Sequence, residues 1–222
     1  IVPNDYKNRL NVFLKGAYKP SEQVTISMSA NVINSKSRAF GNSMSTVYTW
    51  PINKNMADYV TVEGRPNWSN RYDAWDELTD EEKISATVSP YFGRYMDDSQ
   101  TDATRIILNG QISYEPIKNL VFTGKLAYDK TSSQYESTAV PRFVSSDFKD
   151  PESSALADYG YKFGSYVISP SSADQFTAQL LGTYNITFAE DYTLNILAGA
   201  EYKETTGSDI QLGGQHFELA DF

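Results

Sequence analysis

Six stretches of this chain alternate apolar and polar residues with a period of two, the pattern of strands that show one greasy face and one polar face. In the first, Leu10, Val12, Leu14, Gly16 and Tyr18 share a face opposite Asn11, Phe13, Lys15 and Ala17. Its successor sorts Val24, Ile26, Met28, Ala30 and Val32 against Thr25, Ser27, Ser29 and Asn31. A second pair sets Ile106, Leu108, Gly110, Ile112 and Tyr114, then Leu120, Phe122, Gly124, Leu126 and Tyr128, on one face. A third does the same with Phe176, Ala178, Leu180, Gly182 and Tyr184, then Tyr192, Leu194, Ile196, Ala198, Ala200 and Tyr202. The pairs predict hairpins over about 8–36, 102–136 and 173–206.

What joins the strands is as telling as the strands. Lys19-Pro20-Ser21-Glu22, Glu115-Pro116-Ile117-Lys118-Asn119 and Ala189-Glu190-Asp191 are short turns, whereas 37–101 and 137–173 are long polar excursions. Short and long connections in alternation, between strands of ten or more residues, are the layout of an outer-membrane β-barrel. The expected fold is therefore all-β, an antiparallel transmembrane barrel segment of about six strands with long extracellular loops. On this reading Leu10, Val12, Leu14, Ile26, Met28, Leu108, Phe122, Leu126, Leu180, Leu194 and Ile196 face lipid. Tyr18, Tyr114, Tyr184 and Tyr192 border that band near the short turns, and Tyr128 and Tyr202 near the loops, as interfacial aromatics do. The alternative is a soluble sandwich whose apolar face is its core, but sandwich strands run to about five or six residues, roughly half the length seen here.

Composition narrows the functions. A net charge of −9 disfavours nucleic acid, whose phosphates call for Lys and Arg. There is no cysteine for a disulfide or thiolate site, and one histidine, His216, builds neither a catalytic triad nor a zinc site. Aromatics reach 14%, with 16 tyrosines. No run approaches about 18 apolar residues, so no helical span is expected, a test that barrels escape because half of each strand is polar. Nucleophile-elbow and phosphate-loop motifs are missing, so neither a catalytic residue nor a cofactor is expected.

Six strands do not close a transmembrane barrel, since the smallest have about eight and an open edge is not tolerated in lipid. The chain is expected to be a segment of a larger barrel, with both ends cut. Phe13, Ile107, Val121, Leu181 and Leu197 fall on the otherwise polar inner face. Such residues suit a barrel filled by a plug better than a water-filled pore.

Asn8-Arg9-Leu10-Asn11-Val12 and Ser29-Ala30-Asn31-Val32-Ile33-Asn34-Ser35-Lys36-Ser37 resemble the barrel of SusC/RagA-type TonB-dependent transporters of Bacteroidetes, and Tyr114-Glu115-Pro116-Ile117-Lys118-Asn119-Leu120 looks like a further hairpin of that family. The resemblance spans essentially the whole chain. It implies a plugged barrel of about 22 strands in the bacterial outer membrane, of which this chain would be a mid-barrel portion with plug and TonB box lying elsewhere. It also implies energy from TonB and a SusD-like surface lipoprotein that helps capture glycans or oligopeptides. Two other readings stay open: a passive porin or adhesin barrel, and a secreted carbohydrate-binding sandwich.

The loops hold the remaining candidates. Thr79-Asp80-Glu81-Glu82 is a capping box that predicts a helix over about 80–86, and Asp150-Pro151 opens one to about 158. Tyr48, Trp50, Trp68, Tyr72, Trp75 and Tyr91 crowd the first excursion, as a contact surface for substrate or a lid protein, or as a small core of the loop itself. The acidic residues Asp73, Asp76, Glu77, Asp80, Glu81, Glu82, Asp97 and Asp98 lack the spacing of a calcium loop, and a solvated face is the expectation.

Overall fold

The computed structural model describes residues 4–38, 47–48, 50–60, 79, 89–142, 164–188 and 192–215. The helices expected at 80–86 and 150–158, the turn at 189–191, the acidic residues Asp73, Asp76, Glu77, Asp80, Glu81 and Glu82, and Trp68, Tyr72, Trp75 and His216 lie outside these residues.

Six long strands form one antiparallel meander: β1 (Tyr6–Ser21), β2 (Val24–Arg38), β3 (Asp98–Ile117), β4 (Leu120–Ala139), β5 (Ser165–Phe188) and β6 (Tyr192–Asp209), each bonded to the next. One short helix, α1 (Pro90–Met96), precedes β3, and a four-residue strand, β7 (Leu212–Gln215), continues the line of β6 along β5. The sheet is open at β1 and β6, and no second sheet covers either face among the described residues. Such an architecture has no interior of its own, so most side chains of both faces are exposed or half-buried.

The hairpins turn as their residues dictate. Lys118–Asn119 closes β3 to β4, with Asn119 at φ 72°, a left-handed conformation that asparagine tolerates better than most residues. The Asn119 amide donates to the Glu115 carboxylate at 3.2 Å, which holds the turn from inside. At β1–β2 the pairing resumes at Ser21–Val24 after a register shift beyond Tyr18, where Pro20 supplies no N–H for the ladder.

The strands outrun the hairpins predicted from alternation: β5 starts at Ser165 and β3 at Asp98, inside the stretches expected to be loop. Beyond the apolar band both faces are polar, so the period of two disappears from the sequence while the backbone ladder continues. Pro170 sits within β5 for a local reason. In an antiparallel strand a residue's N–H and C=O point to the same side, and the Pro170 carbonyl accepts from Ile210 at 3.1 Å. Its missing N–H therefore faces the break between β6 and β7, where the ladder is already interrupted.

Register adds what alternation alone does not contain. On the apolar face the upper limit of the band is Leu10 on β1, Val32 on β2, Ile106 on β3, Tyr128 on β4, Phe176 on β5 and Tyr202 on β6. Followed through its partners Asn34, Thr104, Ser132 and Ser172, Leu10 lies level with Ser208, so on β6 the border has dropped by six residues, about 20 Å of strand. The lower border drops likewise, from Tyr18, level with Ala200, to Tyr192, eight residues or about 27 Å further down. Five strand spacings cover about 24 Å, so the band crosses the sheet as if the strands leaned by about 40–48°. Transmembrane barrel strands tilt by about 35–45°.

Candidate functional site

Two regions can touch other molecules: the cap at the long-loop end and the two open faces of the sheet.

The cap is assembled around α1. Ser89 is its N-cap, the hydroxyl accepting from the Tyr91 amide at 3.3 Å, and Pro90 occupies the first turn, where no N–H is needed. The same hydroxyl donates to the Met56 carbonyl at 3.0 Å and so ties the 50–60 segment to the helix. Phe92, 1% exposed, is the largest fully buried side chain among the described residues, and the Arg142 guanidinium lies 5.6 Å from its ring centroid.

Three strand ends grip this helix. Arg94, only 2% exposed, meets Asp5 at the start of β1 at 2.5 Å, while Asn4 donates to the Arg94 carbonyl at 3.0 Å. Arg38 at the end of β2 donates to the Asp97 carbonyl at 2.7 Å and contacts Asp98 at 3.2 Å. Asp97 in turn accepts from the Val140 amide at 2.9 Å and from Arg142 at 2.5 Å, both just past β4. Asp97 and Asp98 are thus engaged by arginines, and among the described residues no group of three or more His, Asp or Glu side chains is placed to hold a metal ion.

The aromatic candidates separate here. Trp50 is 6% exposed and donates its indole N–H to the Lys54 carbonyl at 3.1 Å, closing a turn. Tyr48 is 79% exposed. Tyr91 meets the edge of Tyr95 at 6.0 Å between centroids, and Tyr95 stacks on Tyr59 at 4.8 Å. Sequence reasoning placed Tyr59 and Tyr95 among the aromatic residues of this excursion but passed over α1 itself. The Ser89-Pro90 dipeptide, an N-cap followed by proline, was the available signal.

On the sheet, register sends the predicted lipid-facing set to one face. Leu10, Val12, Leu14, Met28, Leu108, Phe122, Leu126, Leu180, Leu194 and Ile196 are exposed there and Ile26 is half-buried. Tyr18, Tyr114, Tyr128, Tyr184, Tyr192 and Tyr202 share that face, and the Tyr192 ring stacks on Phe188 across the hairpin.

The opposite face carries Arg105 hydrogen-bonded to Asp129, Gln179 to Glu201, and Asn109 to Ser29 at 3.3 Å. Among these polar groups Phe13 and Leu197 are exposed, and Leu181 lies so close over Gly199 that an added Cβ would meet its Cδ2 at 2.5 Å. Above the band, Tyr166 donates to Glu136 at 2.9 Å, and that carboxylate, aided by burial, raises the phenol above its ordinary pKa.

Neither a protein-family model nor a curated protein sequence matches the chain. Solved structures do. A chain of the RagAB peptide transporter superposes at TM-score 0.67 with 19% identity, over 98% of this chain and 22% of its own length. The RagAB peptide importer in its closed-closed and open-open states gives TM-scores of 0.63 and 0.65 at 18% identity, again over 97% of this chain. At this identity the likeness is one of fold, and the chain spans about a fifth of the length of those proteins. The class defined is a segment of an antiparallel β-barrel wall.

Proposed function

We propose that this chain is part of the barrel of an outer-membrane, TonB-dependent nutrient importer that takes up oligopeptides or glycans with a SusD-like surface lipoprotein. The observation that carries the proposal is the slanted apolar band: one open face, bordered by tyrosines, whose two limits descend together across six strands. A soluble core has no reason to lean in this way, whereas a bilayer cutting tilted strands produces it. The likeness to RagAB chains, which are peptide importers, and the family resemblance of the strand motifs both support the transport reading.

The inner face favours an importer over a passive pore. Phe13, Leu181 and Leu197 project among polar groups, and a plug seated in the barrel would take them out of water, whereas a water-filled lumen would not. The cap, stapled to three strands, is a firm platform on which Tyr48, Tyr91 and Tyr95 can meet a lid protein or a substrate. The reading assigns no catalysis.

Uptake of labelled oligopeptide and oligosaccharide pools by cells carrying the full-length protein, with and without TonB, tests this. Energy-coupled import requires uptake of at least one pool to collapse without TonB. Uptake that persists unchanged would make the protein a passive channel.

A further inference from the structure

The apolar face is not smooth. A groove of roughly 660 Å³ runs across β1 to β5 within the band. Its floor is set by Gly16, Ala30 and Gly110, and its walls by Met28, Leu108 and Leu126. A Cβ built on Gly16 or Gly110 meets nothing within 4 Å, so the space above both is open.

At its loop-ward end the groove reaches Tyr128 and Phe176 and meets a polar cluster. The Tyr128 hydroxyl, on a ring that lines the groove, donates to Asp174 at 2.7 Å, and Lys130 stands 3.5 Å from the same carboxylate. Beyond them on the same face comes the row Asn34, Thr104, Ser132, Ser172 and Ser208, in which Asn34 donates to Thr104 at 3.2 Å and the Ser172 and Ser208 hydroxyls lie 3.0 Å apart. A hydrocarbon slot thus opens directly onto an ion pair and a shelf of hydroxyls and amides.

We propose that this is a binding site for a saccharolipid of the outer leaflet, one acyl chain lying in the groove and the sugar headgroup resting on Asp174, Lys130, Ser132 and Ser172. The inference rests on the outer-membrane reading above. Position selects a bilayer lipid, because the groove is continuous with the band that meets hydrocarbon. Chemistry selects the headgroup. A polyhydroxylated head can donate to the Asp174 carboxylate and exchange hydrogen bonds with the serine row, whereas a plain phosphate head finds Lys130 alone and faces a carboxylate. The long-loop end of a barrel is its outer end, so the cluster lies on the outer-leaflet side.

The test is native mass spectrometry of the full-length protein, delipidated in detergent, with monophosphoryl lipid A and phosphatidic acid as probes. The wild type should retain lipid A in preference to phosphatidic acid. The Gly16→Leu/Gly110→Leu pair fills the slot, and excluding about two methylenes should weaken lipid A binding about tenfold. Asp174→Asn should weaken lipid A and leave phosphatidic acid no weaker. Equal binding of the two probes, or lipid A binding unchanged in the filled variant, overturns the site. Outer-membrane fractionation and gel mobility of the unheated protein run alongside. A wild type missing from the outer membrane overturns both readings, while a correctly inserted protein that ignores lipid A overturns the groove alone.

Discussion

The belted half of the sheet and the cap above it are built from one set of strands, yet they are held in different ways. In the belt, leucines, valines and Met28 stand exposed, and on the proposed outer-membrane reading lipid supplies their favourable environment. Few side chains there bond to one another on the outer face, so backbone ladders are the main tie from strand to strand on that side. In the cap, three strand ends are fastened by named partners: Asp5 to Arg94, Arg38 to Asp97 and Asp98, Arg142 to Asp97. The difference teaches that one strand can obey two sets of rules along its length. Below the border a polar substitution on the outer face is the damaging one, and above it the loss of a charge is.

The largest effect should come from breaking the belt. Leu126→Arg places a charge mid-band on the outer face and should cost about 2–4 kcal/mol of unfolding free energy for the full-length protein in lipid vesicles. Its neighbour Lys125, on the inner face, should tolerate leucine within about 1 kcal/mol. Equal costs for the two would dissolve the distinction between the faces. Next comes the cap: Arg94→Ala removes a buried charge from Asp5 and should cost about 2 kcal/mol, seen as faster amide exchange over residues 89–97 with belt exchange unchanged. Exchange quickening equally in both regions would mean that belt and cap melt as one unit.

Smaller effects sharpen the comparison. Trp50→Phe loses the hydrogen bond to the Lys54 carbonyl and should cost about 1 kcal/mol, read as roughly fivefold faster exchange at the Lys54 amide, which closes that turn. Pro170→Ala should change stability by no more than about 0.5 kcal/mol, because the restored N–H faces a ladder already broken at Ile210. A gain well above that would show that the break is imposed by the proline.

Legibility followed the same border. Inside the belt, each strand's two faces could be assigned from residues alone, since alternation is a local property of a strand with one apolar and one polar face. Above the belt, the first part of β5 read as loop, because Ser165 to Ser172 carries polar groups on both sides and a proline. Trp50 looked the equal of Tyr48 in the sequence, yet one is buried in a turn and the other stands outward. Burial of a loop ring depends on what the chain brings over it, which no pattern of period two contains. Helix α1 is short and was legible only through its Ser-Pro start.

By itself, then, the order of residues determined the strand faces, the tyrosine borders and the alternation of short and long connections. Each is written within a few consecutive positions, where backbone geometry turns sequence spacing directly into direction. Tertiary structure alone decided the slant of the band and the clasp of the cap. The slant exists only once registers are set between strands, and the clasp joins Asp5 to Arg94 and Asp97 to Arg142 across 89 and 45 positions. Pairs so distant become neighbours because the meander lays their strand ends side by side, and charge attraction acts through space rather than along the chain.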